Sequence, residues 1–346
     1  MFRWTQAALT ALLLLFAVAG LAVQRSARSD SRAEPALFLA DHSGARLTLH
    51  NSETGHQTSV VGMPANVTRV RHISGGEAGD FLVAAETTGD RAEYYRISTT
   101  TQGAVRSVTS LFDGPAREVS LVTWAITRTG SKVAYLAGFT GDGSAPRYLA
   151  VRDLKSKKTK KWKIPGESHW WITHLSWSED ERTLAMVATG PCAVSSQPGA
   201  IEGCLPSVSV RSLDTRAHFD DLSGSTELRR YGAVRNSSPD SGDRYITSGA
   251  AVSPDGRSVF IGTRQQATNG KPPVMSVEQV FSGTALSVKK IYESPASQGA
   301  ITSLVMDGKG ENLLLRFPGE AKLLRLGDLT SRVVPLADES VSDVTW

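Results

Sequence analysis

His169, Trp170, Trp171 and His174 lie close together, and Lys155, Lys157, Lys158, Lys160, Lys161 and Lys163 crowd the stretch just before them. Their types and spacing are the first place to look for chemistry. Two imidazoles can share a metal ion, but five residues apart on an extended strand they face opposite sides, so packing or surface placement is the better expectation. Adjacent tryptophans can form a ligand platform; in extended backbone one ring must turn away, so the competing reading has one Trp packed and one partly exposed. A lysine run suits lipid headgroups or wall polymers, at about 1 kcal/mol for each lysine near such a surface. The same lysines on an outer strand would equally serve to block edge-to-edge pairing.

Cys192 and Cys204 flank a short Pro/Gly/Ser-rich stretch. A disulfide is the expected state in an oxidising compartment, contributing about 3 kcal/mol for so small a loop. No C-x₂-C pair is present to hold zinc. The chain also lacks a G-x-S-x-G elbow, an H-E-x-x-H pair, a P-loop and a dinucleotide fingerprint, so no cofactor or metal is expected. An enzyme here would have to assemble its groups from distant segments. Asn66-Val67-Thr68 and Asn236-Ser237-Ser238 fit glycosylation sequons, a pattern that short sequences often contain by chance.

The elements that position these residues recur along the chain: an apolar run, a polar turn, a second apolar run. Ile246 to Val252 leads into Ser253-Pro254-Asp255-Gly256-Arg257-Ser258 and then Val259 to Gly262, and Ile172 to Trp177 leads through Ser178 to Thr183 into Leu184 to Val187. Looser copies turn at Ser74, Thr127 and Asp307, at intervals of roughly fifty residues. One longer interval holds the cysteine loop and the polar stretch Ser223 to Asp243, which reads as an insertion. Each copy is followed by two more strand-like runs, giving four strands per repeat. A four-stranded antiparallel unit cannot bury both faces alone, and radial stacking of such units is the β-propeller solution. Val341 to Trp346 has the form of a first strand, while Ala36 to Leu39, Arg46 to His50 and Gln57 to Val61 read as the other three strands of one blade. The expectation is therefore an all-β, six-bladed propeller over residues 36–346, its ring closed by Val344–Trp346 beside Leu37–Leu39. Seven blades would require the insertion after Leu213 to hide one, and it has too few apolar residues.

Ser253-Pro254-Asp255-Gly256-Arg257-Ser258-Val259-Phe260 resembles the repeat signature of TolB-like propellers, in which a Ser-Pro-Asp-Gly turn joins the two inner strands of a blade. Glu181 replaces the turn glycine in a second copy, and the WD dipeptide is absent. The resemblance implies this fold and an extracytoplasmic setting, and brings no catalytic residues with it.

Arg3 precedes an uncharged stretch from Trp4 to Val23, followed by Arg25, Arg28, Asp30 and Arg32. Residues 1–35 read as an export signal or membrane anchor plus a short linker, the two alternatives remaining open, with the propeller outside the cytoplasm. The formal charge of +4 depends on the lysine run, so a nucleic-acid partner is not expected.

In a four-stranded blade the second-to-third and fourth-to-first connections emerge on one face. The longest irregular stretches fall into those classes: Gly138–Pro146, Gly190–Pro206 and Arg264–Pro273, then Ser223–Arg244 and Gly166–Trp171. Long loops order polar backbone without filling a core, so their concentration on one side points to recognition there. Asp142, Trp170, Trp171, Arg235 and Arg264 are the candidate contacts. The expected function is a monomeric binding or scaffolding module for a protein, peptide or envelope polymer. A hydrolase or lyase with its site at the channel mouth is the alternative.

Overall fold

The computed structural model describes residues 37–41, 44–88, 91–113, 119–138, 148–165, 171–193, 205–231, 244–265, 267, 271–282, 287–296, 299–334, 336, 341 and 343–346. Within them, runs of β-branched, leucine and aromatic residues separated by Gly, Pro, Asn and Asp fall into strands, as their composition favours.

The strands group into six antiparallel sheets of four. Blade 1 combines β24 (Asp343–Thr345) with β1 (Leu37–Asp41), β2 (Leu47–Asn51) and β3 (Gln57–Val61). Blade 2 holds β4 (Val67–Gly75), β5 (Phe81–Thr87), β6 (Arg91–Thr99) and β7 (Val105–Asp113). Blade 3 holds β8 (Val119–Ile126), β9 (Lys132–Ala137), β10 (Tyr148–Asp153) and β11 (Thr159–Lys163). Blade 4 holds β12 (Trp171–Trp177), β13 (Thr183–Ala193), β14 (Leu205–Asp214) and β15 (Thr226–Tyr231). Blade 5 holds β16 (Arg244–Val252), β17 (Ser258–Gln265), β18 (Val274–Phe281) and β19 (Val288–Pro295). Blade 6 holds β20 (Ser303–Met306), β21 (Asn312–Phe317), β22 (Glu320–Arg325) and β23 (Ser331–Val334).

The core follows from strand alternation: successive side chains enter opposite faces, and each face packs on a neighbouring blade. Phe38 packs with Leu314, Leu323 and Trp346 against blade 6, while Leu39 packs with Ile73 and Phe81 against blade 2. Tyr94 and Tyr95 divide in the same way between blades 3 and 1. The remaining clusters fill the clefts between blades 3 and 4, 4 and 5, and 5 and 6. Every blade thus has an apolar partner on both sides. The chain is a closed six-bladed β-propeller.

Ring closure pairs Leu39 with Thr345, Ala40 with Val344 and Asp41 with Asp343. The first and last strands thus lie side by side as expected, one residue along from an exact facing of Val344–Trp346 with Leu37–Leu39.

The first-to-second turns share one geometry, which explains why the repeat is visible in sequence. In Ser253–Ser258 the Ser253 hydroxyl donates to Asp255 Oδ1 at 2.6 Å and accepts the Ser258 N–H at 2.9 Å, and Gly256 N–H donates to Ser253 O. Ser178 repeats these bonds with Asp180, Thr183 and the Glu181 N–H. Thr127 and Asp307 fill the same place, their side-chain oxygens accepting from Lys132 N–H and Asn312 N–H. The residue three after each turn start has positive φ: Gly130, Glu181, Gly256 and Gly310. Blade 2 departs from the pattern, because β4 runs through Ser74 and its turn closes by Gly76 N–H donating to Asp80 O.

Among the described residues no helix is long and apolar enough to cross a membrane, and the N-terminal apolar stretch lies outside them.

Candidate functional site

Each first strand, β4, β8, β12, β16, β20 and β24, has a neighbour on one edge only and turns the other toward the ring axis. A regular strand at that position would send its side chains into the inter-blade clefts. Four of these strands, β4, β8, β12 and β16, are bulged instead. Register breaks fall between Val67 and Arg69, Val70 and His72, Ile172 and His174, Ile246 and Ala250, and Val119 and Trp124. A bulge inserts unpaired residues and re-aims side chains, here away from the clefts and toward the axis.

The result is a cavity of about 460 Å³ at the end of the channel where the long connections emerge. Arg69, Arg71 and His72 enter from β4, Thr123 from β8, Thr173 and His174 from β12, and Ser303 from β20, with Thr302 just before it. Asp41 stands at the rim on β1. Arg71 Nε donates to Glu86 Oε2 at 3.0 Å and is held by that pair. Arg69 is exposed and has no acidic partner among the described residues. His174 Nδ1 lies 3.0 Å from Thr173 Oγ1, and its ring rests on Gly249, where a Cβ would stand 2.9 Å from Cδ2. A side chain at position 249 would have to displace the histidine that crosses it.

Enclosure by protein pushes the His72 imidazole down to about 4, with the nearby His174 adding to the effect. The protein crowded around it lowers His174 as well, although its ring is open to the channel. Both rings are neutral near pH 7 and each offers one donor and one acceptor. The mouth thus combines a free guanidinium, a paired one, two neutral imidazoles and several hydroxyls with the Asp41 carboxylate at its rim, and offers Arg69 to a polar or anionic group.

The other end of the channel is narrower, about 150 Å³. Arg128, from the turn of blade 3, lies across it against Gly308 of the opposite blade 6, so close that a Cβ there would fall 1.8 Å from the guanidinium carbon. Among the described residues no group of three or more His, Cys, Asp or Glu could hold a metal ion.

Of the residues singled out from the sequence, Trp171 opens β12 opposite Thr189, and Arg264 lies near the end of β17 opposite Met275. Both are half-buried at the long-loop face, and neither lines the 460 Å³ cavity. Arg264 Nε is buried without a hydrogen-bond partner. Asp142, Trp170, Arg235 and His169 lie outside the described residues, as do Cys204 and the side chain of Cys192. On the backbone, Cys192 is opposite Pro206 in the β13–β14 ladder.

The lysine run does sit on an outer strand and its preceding turn, but it is not uniform. Lys160 Nζ donates to Thr215 O at 3.0 Å and Ala217 O at 2.7 Å in blade 4, and lies over the buried Trp162 ring. Lys155, Lys157, Lys158, Lys161 and Lys163 remain exposed.

Arg69, Arg71 and His72 were not among the sequence candidates, and His174 entered only as half of a rejected metal pair. The one local signal was Gly249 inside an apolar run, since an isolated glycine in a strand marks a bulge or close approach.

No protein-family model matches the chain, and no curated protein matches it. Several solved structures are similar in shape. Tricorn protease is 14% identical over 87% of this chain and 29% of its own, with a TM-score of 0.48. Oligogalacturonate lyase from Vibrio parahaemolyticus is 11% identical over 85% of each chain, TM-score 0.48. The Cps50 β-propeller domain of Myceliophteria thermophila is 9% identical over 84% of this chain and 80% of its own, TM-score 0.41. The six-bladed ring itself rests on the strand pairing and inter-blade clusters of this chain.

Proposed function

We propose that this chain is an extracytoplasmic recognition module of the TolB-like kind, which captures an acidic group of a protein, peptide or envelope polymer at the long-loop mouth of its channel. The observation that carries this reading is the unpaired Arg69 beside Arg71, His72 and His174 in a hydroxyl-lined cavity on the face where the long connections emerge. Trp171 and Arg264 flank that mouth as secondary contacts. The N-terminal apolar segment supplies the export or anchoring step, and the exposed lysines of the blade 3 rim add a weaker attraction to anionic surfaces.

Fluorescence anisotropy with labelled poly-L-glutamate as the probe tests the reading. Saturable binding that weakens about tenfold in Arg69→Ala, and is nearly unchanged in a Lys161→Ala/Lys163→Ala double variant, is the expected result. Equal binding by wild type and Arg69→Ala would remove the channel mouth from the account.

A further inference from the structure

Four of the third-to-fourth turns close alike. Asn51, Thr100, Asp153 and Arg325 donate their N–H groups to the carbonyls of His56, Ala104, Lys158 and Thr330. In each, the residue just before the acceptor has positive φ: Gly55 at 69°, Gly103 at 83°, Lys157 at 60° and Leu329 at 57°. Glycine is the unstrained choice there, and Lys157 at least keeps a charged head in water. Leu329 does neither: it combines a left-handed backbone with an apolar side chain 42% exposed. That backbone outlier and the apolar groove it borders together point to a function.

Leu329 borders a groove of about 570 Å³ between blades 5 and 6, on the face opposite the long loops. Phe281 and Leu326 are half-buried in its walls, and Phe260 and Ile291 lie beneath. Around it stand three exposed cations, Arg257, Lys289 and Lys309, against one lining carboxylate, Asp255, which bonds Ser253 and the Arg257 N–H and lies 4.0 Å from the exposed Arg257 guanidinium. Lys289 has no acidic partner among the described residues. An apolar cleft with a cationic rim is complementary to an apolar side chain flanked by carboxylates.

We propose that this groove is a second binding site, which docks a peptide segment carrying an aromatic or aliphatic side chain between acidic residues. It is independent of the channel mouth, because the two lie on opposite faces. The occupant inserts its apolar side chain beside Leu329 and Phe281 and sets its carboxylates against Lys289 and Arg257.

The test uses the full chain and a fluorescein-labelled Asp-Glu-Phe-Glu-Asp peptide, with Lys-Lys-Phe-Lys-Lys and phosphatidylserine vesicles as comparisons. Wild type is expected to bind the acidic peptide saturably and the basic one not at all. Leu329→Gly is expected to weaken binding at least about fivefold while its Tm stays level or rises by about one to three degrees, because glycine relieves the left-handed turn. Arg69→Ala, which weakens the channel mouth, is expected to retain saturable binding of the acidic peptide, and Lys289→Glu in that background to abolish it. The proposal is overturned by absence of saturable binding, by unaltered affinity in Leu329→Gly or Lys289→Glu, or by vesicle binding that shows the same dependence in place of the peptide. Loss in Arg69→Ala alone would return the peptide to the channel mouth.

Discussion

Lys132 Nζ stands 3.2 Å from Glu181 Oε2 and 3.3 Å from the Glu181 carbonyl oxygen, joining the turn region of blade 3 to that of blade 4. Thr129 and Ser131 donate to the same carboxylate. Glu181 occupies the left-handed turn position that glycine holds in three sister turns, at a cost of about 1 kcal/mol. Its four-way attachment to the neighbouring blade offsets that cost.

Glu181→Ala keeps the strain and the backbone bond to Lys132 but loses the three side-chain contacts, so chemical denaturation should show a loss of about 1–3 kcal/mol. Glu181→Gly loses the attachment but relieves the backbone, and should be about 1 kcal/mol more stable than the alanine variant. Burial disfavours the Glu181 carboxylate, but the bonds from Ser131, Thr129 and Lys132 outweigh it and hold its pKa below the usual 4.5. A depressed acid stabilises the fold above its unfolded pKa, and the contribution is lost as pH falls through the folded value. Wild type should therefore lose more stability than Glu181→Gln on acidification below about 4.5.

His72 has the same sign. Its folded pKa, about 4, lies under the ordinary 6.5, so the unfolded chain binds more protons between those values and stability falls as pH drops through that window. His174, Arg69, Arg71 and Asp41 share the cavity and remain in place in His72→Asn. That variant should show a flatter stability profile from pH 6.5 to 4; a slope identical to wild type would contradict the enclosed, neutral imidazole.

The lysine run should divide by role. Lys160→Ala removes two hydrogen bonds to blade 4 carbonyls and should cost about 1 kcal/mol in thermal or denaturant unfolding. Lys161→Ala and Lys163→Ala should each stay within about 0.5 kcal/mol, and lower binding to anionic vesicles instead.

We propose that Cys192, opposite Pro206 in the β13–β14 ladder, is joined by a disulfide to Cys204 in exported protein. Mass spectrometry of unreduced peptides from exported protein should recover the linked pair; two alkylated thiols would show the loop to be open.

The repeat was legible because its turn chemistry is local: Ser253 and Asp255, or Ser178 and Asp180, bond within their own hexapeptide and leave the same mark in sequence wherever they occur. Strand alternation likewise placed Phe38 and Leu39, or Tyr94 and Tyr95, on opposite faces. The channel mouth was not legible. Arg71 and Thr173 become the extra residues of bulges only through pairing with β5 and β13, and the approach of His72 to His174 depends on two bulges in separate blades. Counting side chains along a regular strand sends them into the clefts, which is why the lining residues escaped notice and Trp171 and Arg264, on the loop flanks, stood out.

Hydrogen–deuterium exchange on the wild-type chain, with and without poly-L-glutamate, tests the central claim most directly. The axis-facing edges of the first strands have no ladder partner, so their amides report on whatever fills the channel mouth. Slowed exchange in residues 69–73, 123–124, 171–175 and 302–304 is the predicted result. Protection confined to the opposite face, in the turns 127–132, 178–183, 253–258 and 307–312, or to the lysine stretch 155–163, would contradict it.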